Sequence, residues 1–157
     1  MSQQVKADIC VIGAGSGGLS VAAGCSQMGA KTVLIEKAKM GGDCLNYGCV
    51  PSKAMLAAGK AAQAHRAGTS FGVKENQPSI DYKTMYSHIQ GVIGAIAPND
   101  SVERFEGLGV QVIKGAARFV GNREILANDT RVTARRFVVA TVSSAAIPPI
   151  PGIDTVP

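Results

Sequence analysis

Hydrophobic and polar positions follow one another along the chain in a pattern that predicts alternating strands and helices. Val5–Ile12 is predicted as a strand that becomes wholly apolar, and Leu19–Met28 has the small and apolar spacing of a packed helix. Gly29 ends this helix, and Lys31–Glu36 is apolar on both faces, as buried parallel strands are. The first 36 residues therefore predict one βαβ unit and an α/β fold.

After the second strand the pattern predicts two helices and then a group of short strands. An alanine-rich helix is predicted over Ser52–Ala67, with Pro51 at a favourable first-turn position. Asp81 is placed as the N-cap of another helix that runs to about Ala97. Four short strands follow in the last third of the chain, at Val110–Ile113, Ala117–Val120, Glu124–Leu126 and Arg131–Ala140.

The end of the chain has the composition of a linker. Ile147–Gly152 contains three prolines and a glycine, which favour an extended connection over a helix or a strand. No internal repeat is visible before it. We therefore expect one domain over residues 1–146 and a linker over residues 147–157 that leads toward another domain.

The overall composition is that of a soluble globular protein. Of the 157 residues, 46% are hydrophobic and 17% are charged, and this length is enough for a core of its own. The longest strongly apolar stretch near the start, Ile9–Ile12, is too short for a signal peptide or a membrane-spanning helix. The formal net charge of +5 comes from scattered Lys and Arg residues. We expect a cytoplasmic protein that binds neither membranes nor nucleic acids.

A run of glycines follows the first predicted strand. In Gly13-x-Gly15-x-x-Gly18 the first glycine permits a tight turn, the second lets backbone N–H groups approach a pyrophosphate, and the third allows close helix packing. Glu36 ends the next strand, where a carboxylate can hold a ribose 2′-OH. The pattern predicts a dinucleotide site and leaves NAD and FAD both open. The alternative is an ordinary glycine-rich turn with a solvated glutamate.

Two of the four cysteines stand five positions apart in GGDCLNYGCVPSK. Cys49 lies just before a predicted helix start, where the positive end of the helix dipole favours a thiolate. A disulfide to Cys44 requires a bent segment, because five helical residues rise by about 7.5 Å and the Cα limit is about 7 Å. Gly48 and Pro51 can supply that bend.

Such a disulfide would be strained and accessible, which is typical of catalytic or regulatory bridges. The alternative is that Cys44 and Cys49 are two unrelated reduced thiols in a loop. Cys10 lies inside the first strand and Cys25 inside the first helix, so both are expected to be inert core thiols. The cysteine spacing predicts no metal site.

The motifs together resemble one known family. GAGSGG, the strand that ends in Glu36, and GGDCLNYGCVPSK closely resemble the flavoprotein disulfide reductases, also called class I pyridine nucleotide-disulfide oxidoreductases. The VPSK ending and the later GAARFV stretch are most similar to the mercuric reductase-like or dihydrolipoamide dehydrogenase-like branch. The resemblance implies a Rossmann-like FAD-binding domain with a central parallel sheet, helices on both faces and a small antiparallel β-meander.

The resemblance also implies roles for individual residues. Cys44 would be the interchange thiol that attacks the substrate, and Cys49 would be the thiol nearer the flavin, forming a charge-transfer complex with it. Lys53 would lie near flavin N5. The implied FAD-binding residues are Gly13, Gly15, Ser16, Gly17, Gly18, Glu36, Lys37, Gly42, Asp43, Lys53, Ala116, Ala140 and Thr141.

The activity implied is that of an FAD-dependent NAD(P)H:disulfide or metal-ion oxidoreductase. In the complete enzyme, a homodimer, electrons would pass from NAD(P)H through FAD to the Cys44/Cys49 disulfide and then to a small-molecule disulfide, a protein disulfide or a metal ion. This chain would be the FAD and redox-disulfide portion, inactive alone. Two alternatives stay open: an NAD-binding dehydrogenase domain, which leaves the cysteines unexplained, and a non-enzymatic redox-sensing module.

Three features depart from the family pattern. Asp43 stands where members usually have threonine, and Val142 stands where the family has a glycine that lets backbone pass close to the cofactor. Members are also several times longer and include a nicotinamide-binding domain, a return segment and an interface domain. The family's catalytic His-Glu pair belongs to that interface domain, so His65 and His88 are expected to be surface or helix-face residues.

Overall fold

The computed structural model describes residues 3–74, 77–143 and 146–155. Its six strands are β1 (Gln3–Ile12), β2 (Thr32–Glu36), β3 (Gln111–Lys114), β4 (Ala117–Gly121), β5 (Glu124–Ala127) and β6 (Thr130–Val139). Its five α-helices are α1 (Ser16–Gln27), α2 (Gly42–Asn46), α3 (Cys49–Ala67), α4 (Tyr82–Ile96) and α5 (Val102–Gly107). Short 3₁₀ helices cover Gly68–Phe71, Ala97–Asp100 and Ile153–Thr155. Residues 156 and 157 of the predicted linker lie outside the described residues.

All six strands form one sheet in the order β3-β2-β1-β6-β5-β4. The first four strands of that order run parallel, and β5 and β4 continue the sheet in antiparallel fashion beside β6. β1 lies in the middle, so that Cys10 is flanked by Val33 on one side and Phe137 on the other. This arrangement confirms the predicted α/β fold with a central parallel sheet and an antiparallel meander.

The sheet has to curl, because its two edge strands are joined by only two residues. Gly115 and Ala116 connect β3 to β4, and the three Cα steps between the strands span at most about 11 Å. A flat sheet of six strands would place its edges about 24 Å apart. The side-chain amide of Asn128 donates to the carbonyl oxygen of Lys114 at 2.6 Å, which ties the meander to the β3 end.

The curled sheet buries a different hydrophobic cluster on each face. One cluster consists of strand residues: Val5, Ala7, Cys10, Val33, Ile35, Ile125, Ala127, Val132 and Ala134. The other is covered by helices α1 and α5: Val11, Ala14, Leu19, Ala22, Leu34, Phe105 and Val110. The resemblance implies helices on both faces, whereas the described residues of the first cluster all belong to strands, including β5 and β6.

The helix boundaries agree with the sequence-based prediction for α4 and differ from it for α3. Asp81 caps α4 as predicted, its Oδ1 accepting hydrogen bonds from the N–H groups of Lys83 and Thr84. The hydrogen bonds to Thr84 hold the pKa of the Asp81 carboxyl below its usual value. Helix α3 begins at Cys49, three residues earlier than predicted. Pro51 fits inside its first turn, where backbone N–H groups have no partner within the helix.

Helices α2 and α5 were not predicted. They contain five and six residues, too few for a hydrophobic period to be recognised. The cap of α5 carries a local signal, since Ser101 Oγ accepts a hydrogen bond from the N–H of Arg104 at 3.2 Å. Within the described part of the chain, none of the helices combines the length and apolar character that a membrane crossing requires.

Candidate functional site

The glycine-rich loop joins β1 to α1 and contains two positions that tolerate no side chain. Gly13 has a φ of +102°, and its N–H donates to the carbonyl oxygen of Ile35 at 2.8 Å. A Cβ on Gly13 would lie 2.5 Å from the carbonyl oxygen of Ala140. A Cβ on Gly18 would overlap the carbonyl oxygen of Gly13, so α1 packs directly against the loop. These contacts explain the first and third glycines of the motif.

The opening turn of α1 is accessible. Ser16 and Gly17 are exposed, and no atom lies within 4 Å of the position a Cβ would take on Gly17. The first N–H groups of an α-helix have no partner within the helix, and the helix dipole adds partial positive charge there. This turn can therefore receive the negative oxygens of a pyrophosphate.

Glu36 is buried at the end of β2 and fastens the loop to the sheet. Its Oε2 accepts from the N–H of Ala14 and its Oε1 accepts from the N–H of Ala38, both at 2.6 Å. Each carboxylate oxygen keeps further acceptor capacity, so the group can also accept from a ribose hydroxyl. Lys37, the next residue, is exposed.

The cysteine-bearing segment rests directly on the glycine-rich loop. The N–H of Gly41 donates to the carbonyl oxygen of Ala14 at 2.9 Å, and Gly41 forms a single parallel bridge with Gly15. Gly42 has a φ of +58°, and a Cβ on it would lie 2.7 Å from the Cα of Gly15. The two motifs that the sequence identifies separately therefore form one continuous site.

Asn46 supports this contact, although the sequence analysis did not identify it. Its side-chain amide donates to the carbonyl oxygens of Met40 at 3.0 Å and Gly42 at 2.8 Å. These bonds hold the glycine pair in its turn. The sequence gives no indication of this role, because the carbonyl groups that Asn46 bonds come near its side chain only when the chain folds into α2.

The chain reverses between α2 and α3 and brings Cys44 and Cys49 together. The N–H of Gly48 donates to the carbonyl oxygen of Asp43 at 2.7 Å, and a Cβ on Gly48 would lie 2.6 Å from Asp43 Oδ2. The side chains of Cys44 and Cys49 are close enough that the groups of Cys49 affect the pKa of Cys44. Gly48 thus supplies the predicted bend. All four cysteines are free thiols here, so the structure describes the reduced pair.

Charges and hydrogen bonds around Cys44 act in opposite directions on its pKa. The hydrogen bond with the Cys49 side chain raises the pKa of Cys44 most, followed by burial and by the charge of Cys49. The backbone N–H of Cys49 and the ammonium of Lys53 lower it, and the net result is a pKa above that of an ordinary thiol.

Lys53 lies one turn after Cys49 on the same face of α3, at the spacing i, i+4. It borders an open groove of about 510 Å³. The groove is lined by Lys53, Leu56, Ala57, Gly59, Lys60 and Gln63. A cation on this face is placed to act on the thiol pair.

Of the remaining implied FAD residues, Ala140 and Thr141 lie beside the same loop, and Ala116 follows a residue that bonds to Glu36. The N–H of Ala140 donates to the carbonyl oxygen of Ile12 at 2.8 Å, which places Ala140 and Thr141 beside Gly13. Ala116 is exposed and follows Gly115, whose N–H donates to the carbonyl oxygen of Glu36 at 2.9 Å.

The other cysteines and both histidines stand apart from the thiol pair. Cys10 is fully buried in the sheet, and burial raises the pKa of its thiol to about 12, which makes it inert. Cys25 is half-buried on α1. His65 on α3 and His88 on α4 are both exposed, as expected.

The site fits a dinucleotide cofactor such as FAD. The glycine positions leave a cradle that a side chain would fill, the first turn of α1 faces it, and Glu36 lies where a ribose would be held. Val142 is the exception, because its two methyl carbons border the position that a Cβ would take on Gly15.

Comparison with known proteins places this site in a wider context. Residues 7–156 match the pyridine nucleotide-disulphide oxidoreductase family. Mercuric reductase from Staphylococcus aureus is 31% identical over 149 residues, which cover 95% of this chain and 27% of that protein. Dihydrolipoyl dehydrogenase from Acholeplasma laidlawii is 33% identical over 147 residues, which cover 93% of this chain and 44% of that protein.

A solved structure shares the fold. The Cu(II) complex of the HOCl-induced flavoprotein disulfide reductase RclA from Escherichia coli aligns with a TM-score of 0.73 at 24% identity, over 96% of this chain and 31% of that one. The chain thus spans between 27% and 44% of the length of the two curated relatives described.

Proposed function

Because the chain belongs to the pyridine nucleotide-disulphide oxidoreductase family, we propose that it is the FAD-binding and dithiol-bearing part of a flavin-dependent disulfide reductase. The observation that carries this proposal is the contact between the two motifs. Gly42, two residues before Cys44, packs against Gly15 of the glycine-rich loop. A cofactor held by that loop would therefore lie next to the segment that bears the thiols.

The residues that would hold the cofactor follow from the loop. The first-turn N–H groups at Ser16 and Gly17 would bind the pyrophosphate, and Glu36 would accept from a ribose hydroxyl. When bound, FAD supplies the exchange of an electron pair between NAD(P)H and the thiol pair. A bare NAD-binding domain would explain the loop but would leave the neighbouring dithiol without a role.

The thiol pair can reduce a disulfide in two exchanges. The Cys44 thiolate attacks one sulfur of the substrate, the substrate S–S bond breaks, and the first thiolate leaves as a Cys44–substrate mixed disulfide forms. Cys49 then loses its proton and attacks the Cys44 sulfur, which releases the second thiolate and leaves a Cys44–Cys49 disulfide. The substrate gains two electrons, and solvent supplies the protons that its two thiolates take up.

Lys53 and the backbone N–H of Cys49 support the first exchange by opposing the rise in the pKa of Cys44. Both lower the pKa of Cys44 against the opposing influence of the Cys49 side chain. Both groups therefore favour the thiolate form of Cys44 that the attack on the substrate requires. The same pair of sulfurs suits a soft metal ion as an alternative substrate, and mercuric reductases are among the relatives.

Peptide mapping of the oxidised chain under non-reducing conditions tests the thiol pair. We expect a peptide that links Cys44 to Cys49, with Cys10 and Cys25 recovered as free thiols. Cys25→Ser is the matched control and should leave the bridge unchanged. Linkage of Cys44 to Cys10 or Cys25, or failure of the pair to oxidise, would overturn the proposal.

A further inference from the structure

Val142 lies beside the glycine-rich loop, two residues after the backbone of Ala140 has bonded to β1. Its Cγ2 and Cγ1 atoms lie 3.9 and 4.0 Å from the position that a Cβ would take on Gly15. Val142 is 65% exposed, so much of the residue remains accessible to solvent while its two methyl groups border the loop. Because Gly15 has no side chain, there is free space next to its Cα. The methyl groups of Val142 border this space.

Gly15 is enclosed from two sides. Val142 lies on one side, and the Cα of Gly42 lies 4.0 Å from the same Cβ position on the other. As a result Gly15 is buried, whereas Ser16 and Gly17 beside it are exposed. The anion-binding turn is thus accessible at Ser16 and Gly17. It is covered at Gly15, whose backbone a pyrophosphate must approach.

We infer that Val142 limits the binding of the dinucleotide cofactor, because its methyl groups cover Gly15 and must move before the cofactor can reach the loop. This inference rests on the proposed function, which makes FAD the ligand. Valine has two heavy atoms on its Cβ and a strongly restricted χ1, so a change of rotamer gives little relief. The backbone after Ala140 has to shift instead.

The structure indicates where that shift begins. Strand β6 ends at Val139, and the hydrogen bond from the Ala140 N–H to the carbonyl oxygen of Ile12 is the last described link to β1. Residues 141–143 are exposed and belong to no helix or strand. Displacing this segment requires free energy and adds a step before binding. Val142 should therefore weaken the binding of FAD and slow its association with the chain.

Titration of FAD into the purified chain, followed by flavin fluorescence, tests the inference. Val142→Ala removes the methyl groups without adding backbone freedom, and we expect its Kd to fall about tenfold, which corresponds to about 1.4 kcal/mol. Val142→Gly should bind at least as tightly as Val142→Ala, and stopped-flow association should be faster in both. Val139→Ala is the matched control, because Val139 is 64% exposed but belongs to β6, and its Kd should not change.

The outcomes separate this inference from the proposed function. Equal Kd values for the wild-type chain and Val142→Ala would overturn the inference alone. A gain in Val142→Gly without one in Val142→Ala would also overturn it, since backbone freedom would then be the cause. If FAD binds to none of the versions while circular dichroism shows them folded, the proposed function fails and the inference fails with it.

Discussion

At the scale of single residues, the chemistry of the site depends on the groups that face the sulfur of Cys44. Its partner thiol, a backbone N–H and the ammonium of Lys53 all act on the same atom. The sequence predicted the pair, and the family resemblance implied a place for Lys53 near flavin N5. It could not predict that the backbone of Cys49 lowers the pKa of Cys44, because that depends on how the chain turns at Gly48.

Substitutions on either side of Cys44 should shift its pKa in opposite directions. Cys49→Ser removes the neighbouring charge while its hydroxyl can still donate, so the pKa of Cys44 should fall. Lys53→Met removes a cation that lowers the pKa of Cys44, so in this variant the pKa of Cys44 should rise. The pH dependence of iodoacetamide alkylation at Cys44, followed by mass spectrometry, measures both shifts. Lys60→Met should have no effect, and shifts in the same direction for Cys49→Ser and Lys53→Met would contradict the account.

The neighbouring glycines at 17 and 18 should respond very differently to alanine. A Cβ on Gly18 would overlap the backbone of Gly13, so Gly18→Ala should lower the free energy of unfolding by about 1 to 3 kcal/mol. Gly17 faces open space within α1, so Gly17→Ala should raise it by about 0.4 to 1 kcal/mol. Urea denaturation measures both, and equal effects would show that α1 does not pack on the loop as described.

At the scale of elements, the junction between α2 and α3 determines whether the thiols meet. Longer elements with clear periods, such as β1 and α4, were predicted to within two residues. Helix α2 was not, because it has five residues and its start requires the positive φ of Gly41 and Gly42, which hydrophobic pattern does not encode. The early start of α3 also escaped prediction, since Pro51 was taken to mark the beginning of the helix.

Gly48→Ala should weaken the Cys44–Cys49 disulfide. The new Cβ would displace the Asp43 carboxylate and lie 3.2 Å from the Asp43 carbonyl oxygen, so the turn between the helices must open. We expect the equilibrium constant for disulfide formation against dithiothreitol to fall about fivefold, or about 1 kcal/mol. Gly59→Ala, in open space on α3, is the control and should leave that constant unchanged. An unchanged constant in Gly48→Ala would mean that the turn does not set the distance between the sulfurs.

At the scale of the whole molecule, a long-range contact turns two sequence motifs into one site. The glycine-rich loop and the cysteine segment were each predicted from local patterns. Their contact at Gly15, Gly41 and Gly42 could not be predicted in this way, because it forms only when β2 pairs with β1. The same limit applies to the curl of the sheet, which follows from the order of the strands rather than from any one of them.

The most direct test of the central claim, that the dithiol and the cofactor loop form one redox centre, is the visible spectrum of the FAD-saturated chain during anaerobic reduction by a dithiol. We expect a long-wavelength absorption band from the Cys49 thiolate and oxidised FAD to appear as the disulfide opens. The band should persist in Cys44→Ser and be absent in Cys49→Ser. A chain that binds FAD and opens its disulfide without any such band, or whose band depends on Cys44 and not on Cys49, would contradict the account.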